Sequence, residues 1–380
     1  MVKRVLLVIS NLEYGGAQRQ IVELANNMDP ARYDIHICSL SNYVPLEHDL
    51  FEAGKRLHII NKSWKFDASV VPKLAALAKK LKIDVIHSFL FDAEIASRLA
   101  GLLARIPAII GSERNSHYHL KKRQLLAYRV TRRAVNVIIA NSTEGSIFNA
   151  GIQGLNMSHY RVVHNGVNTT RFQPRNDIDK IKQSLGISQD EQLVGMFASF
   201  KTQKNHPLAF AAMKQVFHQI PKARFLMVGE ELYGGMHGSD IYRLEMDRLV
   251  DKMGIRSRCY FLGNRDDVEK LYCACDATIL PSLFEGTPNV LLESMACGIP
   301  VVATDIADNA KIVPEGKTGF LVPLGDDSYM AEKIIHLLHD ETLRKKLGMN
   351  ARQWVLEEFS CKRLAEKIAA IYDEALSSHR

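Results

Sequence analysis

The sequence predicts an α/β protein built as two doubly wound parallel-sheet domains. Three observations lead there. Apolar, β-branched runs of strand length alternate with amphipathic segments of helix length through nearly the whole chain. That rhythm occurs twice, separated by a polar stretch that a proline interrupts. The length, 380 residues, fits two domains at roughly 100 to 200 residues each.

In the first half the strand-like runs are "RVLLVIS", "YDIHICSL", "LHII", "DVIHSFL", "AIIGS", "VNVIIANS" and "YRVVHNG". The second half repeats the pattern with "LVGMFASF", "ARFLMVGE", "CYFLGN", "ATILPS", "IPVVATD" and "GFLVP". Runs such as "VNVIIA" are apolar on both faces, as they must be when helices cover a sheet above and below. "NTTRFQPRNDIDK", with Pro174, reads as a linker near residues 168–180. The expected domains are residues 1–170 and 171–358, facing a central cleft. After "GFLVP" the pattern is helical to the end, and residues 359–380 are expected to form a helix packed back across both domains.

With 47% hydrophobic and 24% charged residues, disorder is excluded and substantial cores are expected. "MVKRVLLVIS" resembles the start of a secretory signal, but its apolar run is short and no small-residue cleavage site follows. A first buried strand is the better reading. No stretch approaches the ~20 apolar residues of a spanning helix, so a cytoplasmic protein is expected. Six scattered cysteines lack paired metal or redox spacing. A formal net charge of +7 favours an anionic partner. Nucleic acid is the poorer candidate, because no recognised binding module accompanies the charge.

Ligands of open parallel sheets sit beyond the carboxyl ends of the strands, so the residues just after each strand carry the argument. After the first strand, Gly15 and Gly16 can turn tightly ahead of a helix whose N–H groups suit a phosphate or sugar hydroxyl. The pattern lacks the GxGxxG spacing of a dinucleotide site. A plain strand-to-helix turn is the competing reading. In the second half, "FASFKTQKNHPLAF" places Lys201 and Lys204 directly after a strand, where two ammonium groups could neutralise a diphosphate. A solvated basic loop would read the same way. In "ATILPSLFEGTPNVLLESMACG", Glu285 falls in the loop, Thr287 is the expected N-cap, Pro288 the first helical residue and Gly298 the stop. Glu293 then lies between one and two turns into the helix. Two carboxylates flanking a helix start suit an elongated ligand with hydroxylated ends and an anionic middle, although any one Glu is more often a solvated charge.

These residues carry a resemblance. "FEGTPNVLLESMACGIPVVATD" is similar to the signature of glycosyltransferase family 4, retaining enzymes of the GT-B fold. "GGAQRQIVELA", "VVHNGVNTTRF", "FASFKTQKNH", "FLGNRDDVEKLYCACDATILPS" and "KTGFLVPLGD" match the same family in the same order, over nearly the whole chain. The resemblance implies that Glu285 contacts donor-sugar hydroxyls, Glu293 the ribose and Lys204 the donor diphosphate. Gly15 and Gly16 would face the reaction centre. Ser199, Lys201, Gly286, Thr287, Pro288, Asn289 and Val290 complete the implied donor site, with Glu285, Lys204 and Gly16 at the chemistry. Three positions depart from the family pattern. Ser199 stands where many members have an arginine, with Lys201 as a substitute cation. Glu113 and Arg114 in "GSERN" stand where a cleft histidine is common, on the acceptor side. Ala307, Asp308 and Lys311 replace a Gly-Gly and a following glutamate.

The expected activity is transfer of a hexose-type sugar from a nucleoside-diphosphate sugar, uridine-linked, to a surface-glycan or lipid-linked acceptor. By resemblance, configuration is retained. No cofactor and no metal are expected, since the one Asp-x-Asp spacing, Asp177 and Asp179, falls in the linker. The alternatives are an epimerase acting on the same nucleotide sugar and a subunit that binds it without turnover. Residues 114–133, basic with interleaved Tyr and Leu, suggest contact with an anionic membrane at the inner face of the cell. A solvated surface helix is the competing reading.

Overall fold

The computed structural model describes residues 2–64, 67–114, 120–230 and 238–377. The chain divides into two compact units, one of residues 1–166 with 361–380 and one of residues 167–360. The division falls at Gly166 and Val167, with no long free linker after it. Val167 N donates to Phe359 O at 2.8 Å, and α7 already begins at Ile178.

The first unit runs β1 (Lys3–Ile9), α1 (Gly16–Asn27), β2 (Tyr33–Ser39), α2 (Ala53–Arg56), β3 (Leu57–Ile59), α3 (Val70–Leu81), β4 (Val85–Phe89), α4 (Phe91–Ala104), β5 (Ala108–Glu113), α5 (Lys122–Thr131), β6 (Val137–Ala140), α6 (Thr143–Gln153) and β7 (Tyr160–Val162). The second runs α7 (Ile178–Ser184), β8 (Gln192–Phe197), α8 (His206–Gln219), β9 (Ala223–Val228), α9 (Ser239–Met253), β10 (Cys259–Phe261), α10 (Val268–Ala274), β11 (Ala277–Leu280), α11 (Asn289–Ala296), β12 (Val301–Thr304), α12 (Asn309–Ile312), β13 (Gly319–Val322), α13 (Asp327–His339) and α14 (Glu341–Glu358). The last helix, α15 (Cys361–Ser377), belongs to the first unit.

Each strand-like run of the sequence becomes a strand, and the described ladders are parallel. The first sheet has the order β3-β2-β1-β4-β5-β6-β7, the second β10-β9-β8-β11-β12-β13. In both, the order reverses beside the first strand of the unit, between β1 and β4 and between β8 and β11. Loops leaving those two strands diverge across the sheet and open the crevice in which such folds bind ligands.

The apolar strands bury both faces. One face of the first sheet packs Val5, Leu7, Ile9 and Phe89 against α1 and α15, the other packs Leu6, Val8 and Ile86 against α3 and α4. Polar contacts also fix α15. Lys3 pairs with Asp373, Tyr33 Oη donates to Asp373 Oδ1 at 2.6 Å, and the Tyr372 hydroxyl meets His87 Nδ1 at 2.7 Å. In the second sheet, Val194, Met196 and Ile279 face α8 and α13, and Leu193, Phe197 and Leu280 face α10, α11 and α14.

Candidate active site

The reversal point of the second sheet gathers the residues singled out after its strands. β8 and β11 are neighbours, with Ala277 beside Val194 and Thr278 beside Gly195. Their following loops therefore meet. Leu283 N donates to Gln203 O at 2.8 Å, and Gln203 Nε2 donates to Phe284 O at 2.7 Å. On that frame Lys204 Nζ reaches Glu285 Oε1 at 2.5 Å, with the two side chains 16% and 9% exposed. Ser282 Oγ donates to the same oxygen at 2.7 Å, and Gln203 Nε2 lies 3.5 Å from Oε2. Thr304 Oγ1, at the end of β12, donates to Ser282 O at 2.7 Å and fastens the loop from the other side. Glu285 and Lys204 are thus brought together at the ends of neighbouring strands.

Lys201 opens the short turn that holds Thr202–Lys204 and is half-buried. It has no ion-pair partner among the described residues. Burial first, and then the ammonium of Lys204, lower its pKa from the usual lysine value, while Glu285 opposes the shift. Two ammonium groups face one carboxylate here, so the site carries excess positive charge in a desolvated setting. Ser199, partly exposed between Phe197 and Phe200, adds no charge.

The helix after Glu285 starts later than expected. α11 begins at Asn289, and Pro288, with extended backbone (φ −76°, ψ 109°), occupies the N-cap position without a capping side chain. Thr287 lies one residue outside, so the expected Thr287 cap is corrected. Gly286, Thr287 and Pro288 are buried, and Asn289 and Val290 are half-buried in the first turn. The positive end of the helix dipole accordingly lies at Asn289 and Val290. Gly298, with φ +76°, is the left-handed residue that ends the helix. Glu293 faces α10, where its Oε2 accepts from the Tyr272 hydroxyl at 2.9 Å, and Tyr272 stacks on Phe197 at 3.7 Å between ring centroids.

In the first unit, Gly15 is the N-cap of α1 with extended backbone (φ −147°) and makes no left-handed turn, contrary to the tight turn expected at Gly15 and Gly16. A side chain at this position would displace the end of Gln18. A Cβ there would lie 2.3 Å from Gln18 Oε1, whose side chain folds back over the helix start. Glu113, expected toward an acceptor, is 2% exposed. It accepts from Asn149 Nδ2 at 2.7 Å and Gln153 Nε2 at 2.5 Å, with the Tyr160 hydroxyl at 3.4 Å. Those three groups hold it inside the unit. Arg114 takes a different course, bonding Asn165 Oδ1 through Nη1 at 3.0 Å.

Asp177 is bound twice by Arg175, at 2.8 and 2.7 Å, and Asp179 is in the first turn of α7. Of the basic stretch 114–133, residues 115–119 lie outside the described residues. Ala307 adopts φ +46°, the conformation a glycine would hold without strain, and Asp308 lies 3.4 Å from Lys311.

Sequence reasoning missed Gln203, Ser282 and Tyr272. Ser282 precedes Glu285 by one turn's spacing and could have been suspected. Gln203 and Tyr272 had no local signal, because Gln203 meets Glu285 through the pairing of β8 with β11 and Tyr272 meets Glu293 through the packing of α10 on α11.

Both halves of the chain match family models, residues 14–171 that of Glycosyltransferase Family 4 and residues 177–354 that of Glycosyl transferases group 1. A UDP-Gal:alpha-D-GlcNAc-diphosphoundecaprenol alpha-1,3-galactosyltransferase of Escherichia coli is 26% identical over 94% of this chain and 93% of its own. An N-acetyl-alpha-D-glucosaminyl L-malate synthase of Bacillus anthracis is 30% identical over 53% of this chain and 50% of its own. Among solved structures, Anabaena Alr3699/HepE in complex with UDP superposes with a TM-score of 0.85 at 22% identity, covering 98% of this chain and 100% of that one. The same protein with UDP-glucose gives 0.82, covering 98% and 99%. With both halves matched and the architecture shared, the chain belongs to glycosyltransferase family 4 and is a glycosyltransferase of the GT-B fold.

Proposed function

We propose that the protein transfers a hexose-type sugar from a uridine-diphosphate sugar to a surface-glycan or lipid-linked acceptor, with retention of configuration and without a metal ion. The observation that carries this reading is the Lys204–Glu285 pair at the reversal point of the second sheet, with Lys201 beside it and without an ion-pair partner among the described residues. The names of related proteins support the donor and acceptor classes. HepE is solved with UDP-glucose, and the E. coli relative takes UDP-Gal to a diphosphoundecaprenol acceptor.

Transfer loosens the bond between the anomeric carbon and the diphosphate while negative charge grows on the leaving oxygen. Lys201, Lys204 and the start of α11 are the groups placed to stabilise that charge, and one such donor in a desolvated site contributes about 3 to 4 kcal/mol. A diphosphate drawing on Lys204 leaves Glu285 with acceptor capacity for sugar hydroxyls, while Ser282 and Gln203 keep its orientation. Glu293, oriented by Tyr272, is the carboxylate assigned to the ribose, with Ser199, Gly286, Thr287, Pro288, Asn289 and Val290 forming the wall around the diphosphate. Gly16 and Gly15 line the acceptor side. The cationic groups fill the role a divalent ion would have, so the reaction needs no metal.

α5 supplies a membrane face. Leu126 and Val130 are 62% and 73% exposed, and Lys121, Lys122, Arg123 and Arg129 are exposed beside them, while Tyr128 turns inward. An apolar strip flanked by cations suits the anionic inner leaflet. No described helix is long and apolar enough to cross a membrane.

The test is a transfer assay with UDP-sugars and lipid-linked acceptors. Glu285→Gln should stay folded and lose two to three decades in kcat, and EDTA should leave the wild-type rate unchanged. Near-normal turnover by E285Q, or loss of activity restored by manganese, would contradict the reading. So would conversion of the donor to its epimer when no acceptor is present.

A further inference from the structure

Arg114 follows β5 directly, at the carboxyl end of the first sheet. It is 8% exposed. Nη1 bonds the amide oxygen of Asn165, the group lies 5.1 Å from the centre of the Phe89 ring, and buried Nε has no partner among the described residues. No carboxylate is within ion-pair distance of it among the described residues. The two nearby ionisable groups supply no negative charge. His87 is fully buried, and burial with the charge of Arg114 holds its pKa well below the usual imidazole value, so it is neutral. The Tyr372 phenol, also buried, has its pKa raised well above the usual value and stays protonated. Burial lowers the pKa of Arg114 itself to about 10, which still leaves it a cation at neutral pH.

The contrast within the same unit is direct. Arg98, fully buried, has Glu94 at 3.3 Å. Glu113, the residue next to Arg114 in sequence, gives its carboxylate to Asn149, Gln153 and Tyr160 instead. A desolvated cation without a counter-ion is costly unless something supplies the charge. A neighbouring lock ties this corner to α1, since Gly166, the residue after Asn165, exchanges two hydrogen bonds with the Gln20 side chain at 2.9 and 2.7 Å. Arg114 is therefore held by Asn165 and Phe89 at the same sheet edge as the start of α1.

We infer that Arg114 binds an oxyanion carried by the acceptor, a phosphate or a carboxylate, which supplies the counter-ion its guanidinium lacks among the described residues. The inference deepens the proposed function and rests on its assignment of the first unit to the acceptor. A planar fork matches either oxyanion with two parallel hydrogen bonds, and lysine cannot reproduce that geometry. A neutral acceptor would leave the charge uncompensated.

The test follows thermal unfolding of the full chain saturated with UDP, so that the lysines of the second unit are already occupied. Sodium phosphate and sodium succinate are titrated separately, against sodium chloride at equal ionic strength. Phosphate, succinate or both should raise the wild-type Tm by about 2 °C at ten times half-saturation, and Arg114→Gln should abolish the rise. A response to phosphate identifies a phosphorylated acceptor, a response to succinate a carboxylate-bearing one. Arg114→Lys, which keeps the charge, should need about tenfold more anion and serves if the glutamine variant does not fold. No rise above chloride, or equal responses in wild type and the folded variants, overturns the inference. A UDP-induced rise without an oxyanion response removes this inference alone. Absence of a UDP-induced rise counts against the donor reading, and the oxyanion comparison then proceeds without UDP.

Discussion

His206 opens α8 two residues beyond Lys204, fully buried, with its ring stacked on Phe200 at 4.5 Å. Burial first, then the charges of Lys204 and Arg243, push its pKa down to about 3. The folded protein therefore keeps this imidazole neutral, while the unfolded chain takes up a proton below about pH 6.5. Between those values the unfolded state binds more protons, so stability falls as pH drops, by about 1.4 kcal/mol per unit. His206→Phe keeps a ring against Phe200 and removes the titration. Urea unfolding at pH 7 and pH 5 should show a loss in the wild type about 2 kcal/mol larger than in H206F; equal losses would refute the assignment. At this scale the sequence was only partly legible. Glu285, Lys204 and Lys201 could be picked out because they follow strands directly. Gln203, which helps orient Glu285, could not, since its contact depends on the register of β8 against β11, whereas Ser282 stands three residues before Glu285 and was overlooked. The placement of Glu113 was illegible for a related reason. The end of a strand says which residues are near the sheet edge, and side-chain direction is decided by partners such as Asn149 and Gln153, far away in sequence.

Elements were more legible than residues, because an apolar run buried on both faces has few alternatives to a central parallel strand. The strands of both sheets follow the runs read from the sequence. Helix starts were less so. Pro288 suits a first helical position but equally holds an extended N-cap, and the structure takes the second course. The loop between β12 and α12 shows an element under strain. Ala307 is left-handed at φ +46°, where an L-residue with a Cβ is disfavoured by about 1 to 2 kcal/mol. Part of any gain on Ala307→Gly is offset by the greater freedom of glycine in the unfolded chain. A307G should raise stability by roughly 0.5 to 1 kcal/mol, measured by urea denaturation. A destabilised variant would show that the strain is matched by a favourable contact of the alanine methyl.

At the scale of the molecule, length and the repeated strand–helix rhythm pointed to two domains and the chain forms two compact units, while the placing of α15 in the first unit rests on the packing of Leu364, Ile368 and Tyr372. A basic surface with exposed Leu126 and Val130 leads to a prediction for the whole protein. It should co-sediment with vesicles containing anionic lipid at low salt and be released as salt rises, since the attraction is screened within about 8 to 10 Å at physiological ionic strength. Leu126→Glu should weaken sedimentation, and unaltered binding of that variant would dissociate α5 from any membrane role. The central claim is that cationic side chains after β8 hold the diphosphate of the donor, and calorimetric titration of UDP tests it most directly. Loss of one charge-assisted contact weakens binding by at least about tenfold, so Lys201→Gln and Lys204→Gln should each bind UDP that much less tightly than the wild type. Equal affinity in all three proteins would contradict the account.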